Sequence, residues 1–288
     1  MFFRYTVAGM DDRAMVVTDL DGTLFQRDRL ISPSNLRVLE QLGREGVLRV
    51  IATGRNLYSA RKVLPDGFPI DFLLFSSGAG VLEWAGQRLL RAVSMSPRQV
   101  QRALAALAAR RLDFMLHRPI PDNHRFYFFR RSGRNNPDFE ARLAVYGPFA
   151  EPGDIDHPPR GPACQLLAVE PPEREPSAYD DLRRQLSGLT VIRSTSPLDG
   201  RSRWIEIFSP RVSKAKAAAW LVRRQRIQRA RILAVGNDYN DLDLLEWAPK
   251  ACLVGGSAPE LAERFAVISG SFDADFAAAV EAWRNDRL

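Results

Sequence analysis

Short apolar runs and amphipathic stripes alternate along the chain in an order that predicts an α/β fold. Residues 14–18 (Ala-Met-Val-Val-Thr), 47–52 and 71–75 are runs of the kind that form strands buried on both faces of a parallel sheet. Between the first two, Ser32-Pro33 reads as a helix N-cap and first position, Leu36, Leu39 and Leu42 supply an apolar face, and Gly46 supplies the stop. A second helix is predicted over residues 56–63. The same texture returns at the other end. A helix is predicted over 213–227, a strand at 232–235, a helical segment at 242–247 and a strand at 251–253. A short helix and strand come next from Leu261, then a terminal helix over 276–283. This order implies right-handed crossovers in a Rossmann-like parallel sheet. Polar residues interrupt the strands at Asp19, Thr53 and Asn237-Asp238. Ligands of open α/β sheets sit outside the carboxyl edge, so three remote segments are predicted to meet there.

The middle of the chain reads differently. Helix signals at 96–109, 137–146 and 179–186 alternate with strand signals at 112–116, 125–129, 165–169, 190–193 and 204–208. Two α-β-β units predict a mixed, largely antiparallel sheet with helices on one face. Segments 131–137 and 151–162, rich in Pro, Gly, Asn and Asp, are predicted as surface loops. The expected organisation is an α/β, Rossmann-like core formed by residues 1–82 and 209–288, carrying an inserted α+β cap domain at residues 83–208. A length of 288 residues suits one core with one large insert.

Composition narrows the functional classes. Hydrophobic residues at 45% and charged residues at 26% are globular values, which argues against disorder across most of the chain. The longest apolar runs fall far short of the roughly 20 residues of a membrane span. Phe2-Phe3 is too short for the apolar stretch of a secretory signal, and the charged run Asp11-Asp12-Arg13 ends any such stretch early. Cys164 and Cys252 lie far apart among apolar neighbours and read as buried free thiols in a reducing, cytoplasmic compartment. His117, His124 and His157 have no metal-ligand spacing with either cysteine, so no zinc site is expected. The formal charge of +7 comes with 37 arginines scattered along the chain, the densest of them on probable helices with an Ala/Leu-rich opposite face. Solvated helix faces explain that pattern, so no nucleic-acid partner is expected, although the charge favours anionic substrates. A monomer or weak homodimer is the expected state.

Asp19-Leu20-Asp21-Gly22-Thr23, directly after a buried strand, is the strongest chemical signal. Two carboxylates one residue apart at a strand end repel each other unless a cation is bound, and Mg²⁺ suits hard oxygen ligands. Taken alone, Asp-x-Asp-Gly also fits an ordinary turn or a calcium loop, but Thr23-Leu24 does not extend the calcium pattern. The run Val16-Val17-Thr18-Asp19-Leu20-Asp21-Gly22-Thr23-Leu24 resembles the first motif of the haloacid-dehalogenase-like hydrolases. Ala52-Thr53-Gly54-Arg55 resembles their second motif, Val212-Ser213-Lys214 the third, and Val235-Gly236-Asn237-Asp238-Tyr239-Asn240-Asp241 the fourth. The insert between the second and third motifs is similar to the type II cap of the Cof-like subgroup.

The resemblance implies a Mg²⁺-dependent phosphatase acting on a small phosphorylated metabolite, a sugar phosphate first. Asp19 would be the nucleophile forming an aspartyl-phosphate, and Asp21 the acid and base. Thr53 and Lys214 would stabilise the transferring group, with Gly54 and Arg55 binding substrate. The implied metal donors are Asp19, the Asp21 carbonyl, and residues among Asn237, Asp238 and Asp241. Asn237 stands where the subgroup usually has aspartate, so either it or Asp238 would serve. Ser77 and Ser257 likewise stand where the subgroup has asparagine in two Gly-rich turns. On the cap, Arg201, Arg203 and Asp199 are the candidate substrate contacts. A phosphomutase and a non-catalytic metabolite-binding descendant are the alternative readings.

Overall fold

The computed structural model describes residues 13–25, 30–257, 259–268 and 274–286. The buried run Met15–Thr18 forms strand β1, and β2 (Leu48–Ala52) and β3 (Phe72–Phe75) lie beside it in parallel. Helix α1 (Pro33–Arg44) connects the first two because Ser32 Oγ accepts from Asn35 N at 3.1 Å and Pro33 occupies the first turn. Helix α2 (Leu57–Arg61) precedes β3 and is shorter than the predicted span. The chain then turns back as an antiparallel hairpin, β4 (Gly80–Glu83) and β5 (Arg88–Ala92), which extends the same sheet. The expected cap boundary at residue 83 therefore falls inside a hairpin of the core sheet. Its second strand, Arg-Leu-Leu-Arg-Ala, is a largely exposed edge and carries no clean alternation.

The insert comprises α3 (Pro97–Ala109), β6 (Asp113–His117), β7 (Phe126–Phe129), α4 (Pro137–Val145), β8 (Ala150–Pro152), β9 (Gln165–Glu170), α5 (Tyr179–Gln185), β10 (Thr190–Thr195) and β11 (Arg203–Phe208). Its six strands order as β10-β11-β9-β6-β7-β8, antiparallel except for the β7–β8 pair. The predicted loop from residue 151 thus begins as part of a short edge strand. Helices α3 and α5 cover one face, with Leu104, Leu107 and Leu182 against Phe114, Ala168 and Ile205. Helix α4 instead covers the other face, with Phe139 and Leu143 against Met115, Leu167 and Trp204. The expectation of helices on one face is corrected here: the central strands β6, β9 and β11 are apolar enough on both sides to need two covers. The α4 face turns toward the core, where Tyr58 packs into it.

The chain returns through α6 (Lys214–Gln225), β12 (Ile232–Gly236), α7 (Leu242–Trp247), β13 (Lys250–Val254), α8 (Pro259–Ala262), β14 (Val267–Ile268) and α9 (Asp275–Arg284). The first sheet reads β14-β13-β12-β1-β2-β3-β4-β5. Strand order reverses between β1 and β12, which pair in register from Met15–Ile232 to Thr18–Val235. That reversal is the crevice where α/β sheets take ligands. Helices α1 and α9 cover one face and α6 and α7 the other. Fully buried side chains such as Leu39, Leu42 and Phe276 each contribute roughly 1.5–3 kcal/mol. Cys164 and Cys252 are buried and free, as expected. No helix of the described residues is long and apolar enough to cross a membrane. The segments around Phe2-Phe3 and Asp11-Asp12, and Ala258, lie outside the described residues.

Candidate active site

Asp19 emerges from the carboxyl end of β1, its backbone N donating to Val235 O of β12 at 2.9 Å. The turn after it closes tightly over the fourth motif. Gly22 has φ +76°, which favours glycine, and a Cβ there would lie 2.5 Å from Asn237 Nδ2, so a larger residue would also displace the Asn237 amide. Thr23 Oγ1 then donates to Asn237 Oδ1 at 3.2 Å. Lys214 opens α6, whose N-terminus is capped by Ser213 Oγ accepting from Lys216 N at 3.2 Å. Its Nζ is fully buried and donates to Asp19 Oδ1 at 2.5 Å, to Asp241 Oδ1 at 2.6 Å and to Asn240 Oδ1 at 3.4 Å. The other oxygen of Asp241 accepts from the backbone N of Asn237 at 2.9 Å and of Asp238 at 3.2 Å. Asp241 thereby fixes both the acidic turn and the lysine.

Charge in this cluster is unbalanced. Burial pushes the Asp19 carboxyl up to about 8, with Asp241 adding to the rise, Lys214 opposing it and Asp21 adding further. Burial alone would depress the Lys214 ammonium, yet Asp19 and Asp241 outweigh it and hold the lysine above its ordinary value. Burial raises Asp243, which accepts from Ala215 N at 3.1 Å.

The second motif borders the same space. Thr53 is buried and its Oγ1 accepts from Arg55 N at 3.1 Å, leaving the hydroxyl hydrogen free to donate. Arg55 holds Asp21 through two bonds, Nε–Oδ2 at 2.7 Å and Nη2–Oδ1 at 2.6 Å. Burial works against the Arg55 charge, and Asp21 outweighs it and raises the guanidinium further. Ser77 N donates to Thr53 O at 3.0 Å, and Ser76 and Ser77 take φ values of +49° and +53°, a left-handed turn unusual for serine. The cap closes the rim. Asn56 Nδ2 donates to Tyr146 Oη at 3.1 Å, Asn123 Nδ2 to Ser76 Oγ at 2.7 Å, and Thr195 N and Oγ1 to Asp238 at 2.9 and 3.3 Å.

The structure thus brings Asp19, Asp21, Thr53, Gly54, Arg55, Lys214, Asn237 and Asp241 around one crevice. It does not bring Arg203 there. Arg203 sits on the opposite side of β11, bonded to the buried Glu170 at 2.8 Å and to Glu175 at 2.9 Å, so the expectation of a substrate contact is corrected. Arg201 is exposed in a turn that Asp199 closes by accepting from Arg201 N and Ser202 N, both at 2.8 Å. Neither residue touches the cluster. Asp238 spends both carboxylate oxygens on Thr195 of the cap. The sequence reading overlooks Glu206, 4% exposed, with Oε1 4.0 Å from where a Cβ on Gly54 would lie. A signal exists for it: in Arg203–Phe208, both faces are apolar, so a glutamate there has to be buried.

Among the described residues no group of three or more His, Cys, Asp or Glu side chains stands ready to hold a metal. The reason is visible: Asp241 is turned onto Lys214 and two backbone amides, Asp238 onto the cap, and position 237 is an amide. The remaining donors, Asp19, the Asn237 amide oxygen and the local backbone carbonyls, are hard oxygens. Together with an Asp19 that is short of positive charge, they fit a hard divalent ion that retains several waters.

A family model described as haloacid dehalogenase-like hydrolase matches residues 16–278. The chain is 23% identical over 247 residues to a protein named HMP-PP phosphatase from Yersinia pseudotuberculosis, covering 84% of each. Its fold is similar to a phosphatase of the haloalkanoate enzyme superfamily from Bacteroides thetaiotaomicron, with TM-score 0.72, 20% identity and 98% of each chain covered. It is also similar to a sugar phosphatase of subclass IIB, with TM-score 0.68, 16% identity, and 96% of this chain and 100% of that one covered.

Proposed function

Because the chain belongs to the haloacid dehalogenase-like hydrolases, we propose that it hydrolyses the phosphoric monoester of a small metabolite, a sugar phosphate first, through an aspartyl-phosphate on Asp19. The observation that carries this reading is the buried Lys214 ammonium joining Asp19 to Asp241 beside Thr53 and the Asp21–Arg55 pair. A lysine so placed neutralises both a carboxylate nucleophile and the phosphoryl group it approaches. One Asp19 oxygen forms a bond to phosphorus as the bond to the leaving oxygen breaks. Asp21 gives that oxygen a proton, then takes a proton from the water that attacks the aspartyl-phosphate, which frees phosphate and restores Asp19. Lys214 and the Thr53 hydroxyl hold the phosphoryl oxygens throughout. For this, Asp21 has to exchange its two bonds to Arg55 for contacts with substrate, and Arg55 is then released toward the phosphoryl group.

Mg²⁺ held by Asp19, the Asn237 amide oxygen and the Asp21 carbonyl would offset charge between nucleophile and phosphoryl oxygens. Of the two expected donors at the fourth motif, Asn237 is favoured, since Asp238 is engaged by Thr195. The names of the Yersinia relative and of the subclass IIB structure support a small phosphorylated substrate. The closed rim of cap contacts supports exclusion of bulk water during the reaction. The two buried free thiols suit a cytoplasmic setting.

Phosphate release from a panel of phosphorylated sugars, nucleotides and glycerate derivatives, with and without Mg²⁺, tests the reading. Turnover of at least one small ester with metal is the expected result. Isomerised sugar phosphate without free phosphate would identify a mutase, and tight ligand binding with no turnover in any divalent metal would identify a binding protein.

A further inference from the structure

An open cavity of about 820 Å³ lies on the cap where β6 begins and β9 ends, and none of the crevice residues lines it. Three segments remote in sequence form its walls: the turn from α3 into β6, the loop before α4, and the loop between β9 and α5. It sits at the end of β6 opposite His117, whose partner Asn123 reaches Ser76 of the core. Small-molecule sites run from roughly 300 to 1,000 Å³, so the volume suits a compact ligand. Buried Leu112, Val169 and Ala178 supply the apolar part of the lining.

Two buried carboxylates hold these walls in place. Asp113 accepts from the backbone N of Arg131 and Ser132 at 2.7 and 2.9 Å, from Ser132 Oγ at 2.6 Å and from Asn136 Nδ2 at 3.1 Å. Glu170 accepts from Ser177 Oγ at 2.6 Å, Ala178 N at 2.8 Å and Arg203 Nε at 2.8 Å, and lies 3.3 Å from Arg174 Nε. Arg174 Nη2 also crosses to Arg110 O at 3.1 Å, which ties the third wall to the first. The loops are therefore set before any ligand arrives, and that lowers the ordering cost of binding.

Within this fixed frame two cations stand uncommitted. Among the described residues the guanidiniums of Arg111 and Arg134 make no hydrogen bond or ion pair. They are neighbours, since Arg111 Nη2 lies 3.8 Å from where a Cβ on Gly133 would stand, one residue before Arg134. The acids alongside offer them little. Asp113 is spent on the loop before α4, Glu175 pairs with Arg203 and Asp181 with Arg184, so only Glu173 is unbonded. A hydroxyl accepts one bond from a guanidinium, whereas a phosphate or carboxylate face accepts two and brings the compensating charge. Two adjacent forks take two such faces. We propose that this cavity is a second binding site, outside the catalytic crevice, for a compact oxyanion of two or more charges gripped by Arg111 and Arg134.

Calorimetric titration of the full chain with inorganic pyrophosphate and with citrate, in the absence of divalent metal, tests this. The tighter binder of the two tells a phosphate ligand from a polycarboxylate. Arg111→Ser/Arg134→Ser is expected to weaken binding at this site by about tenfold or more. Its melting temperature without ligand should match wild type, because neither guanidinium is bonded. Glu173→Gln is expected to strengthen binding, since it removes the one free carboxylate beside the anion. The catalytic crevice also attracts anions, so Thr53→Val is titrated alongside, and the cap site is expected to persist in it. Affinity kept within about twofold in the arginine variant but lost in Thr53→Val would show that the crevice alone takes the anion, and would overturn the proposal. An equal loss in Arg223→Ser/Arg224→Ser, two exposed arginines of α6, would reduce the binding to diffuse attraction and overturn it as well. So would the absence of binding by both anions.

Discussion

Lys214 Nζ lies 2.5 Å from Asp19 Oδ1, a contact that spans 195 positions of sequence and is buried from solvent. With Asp241 on its other side, the lysine is the only cationic side chain bonded to either carboxylate among the described residues. Its removal leaves two buried acids facing each other.

Lys214→Met is expected to lower stability by about 3–5 kcal/mol, since one partner of a buried pair is lost and the charges it balanced remain. Phosphate release should fall by about 10²-fold or more. The stability deficit should shrink at pH 5 relative to pH 8, because Asp19, already raised by burial, then takes up a proton. Urea unfolding at the two pH values checks the sign.

Asn237 supplies a neutral oxygen that already accepts from Thr23. Asn237→Asp should destabilise the metal-free protein, by adding a charge beside Asp19 and Asp241, and should strengthen Mg²⁺ binding by about tenfold or more. The rise in melting temperature on adding Mg²⁺ is therefore expected to be larger in the variant than in wild type. Equal rises would show that residue 237 does not face the metal.

Burial raises Glu206 from 4.5 to about 7, with the charges of Arg142 and Lys214 and the hydroxyls of Ser194 and Ser77 pulling the other way. Between those values the native chain holds a proton that the unfolded chain has released, so its contribution to stability falls as pH rises from about 4.5 to 7. Glu206→Gln removes this loss. The variant should match wild type near pH 4 and exceed it by at most about 3 kcal/mol at pH 8. A difference independent of pH would contradict the placement of this carboxylate in the seam.

Much of the fold and site is legible in the sequence, and the failures have physical causes. The strand ends at Asp19 and Thr53, and the turn at Asn237, are readable because short apolar runs bounded by polar residues leave few alternatives in a parallel sheet. Caps at Ser32, Ser96 and Ser213 fix helix starts through local hydrogen bonds, which need no tertiary information. Strand β5 escapes a sequence reading because an exposed edge strand lacks periodicity. Arg203 outranks Glu206 as a candidate because an arginine suits a phosphate. The pleat of β11 turns the arginine onto Glu170 and the glutamate onto the crevice, a matter of which face meets the core.

Asp19→Asn tests the central claim most directly. The amide keeps the size of the side chain and removes the nucleophilic charge, so the buried Lys214 retains Asp241 and the fold should persist. With Mg²⁺ and an aryl phosphate, the account predicts that phosphate release falls by at least about 10³-fold while the melting temperature is preserved. Release by the folded variant at a rate within a few-fold of wild type would contradict it.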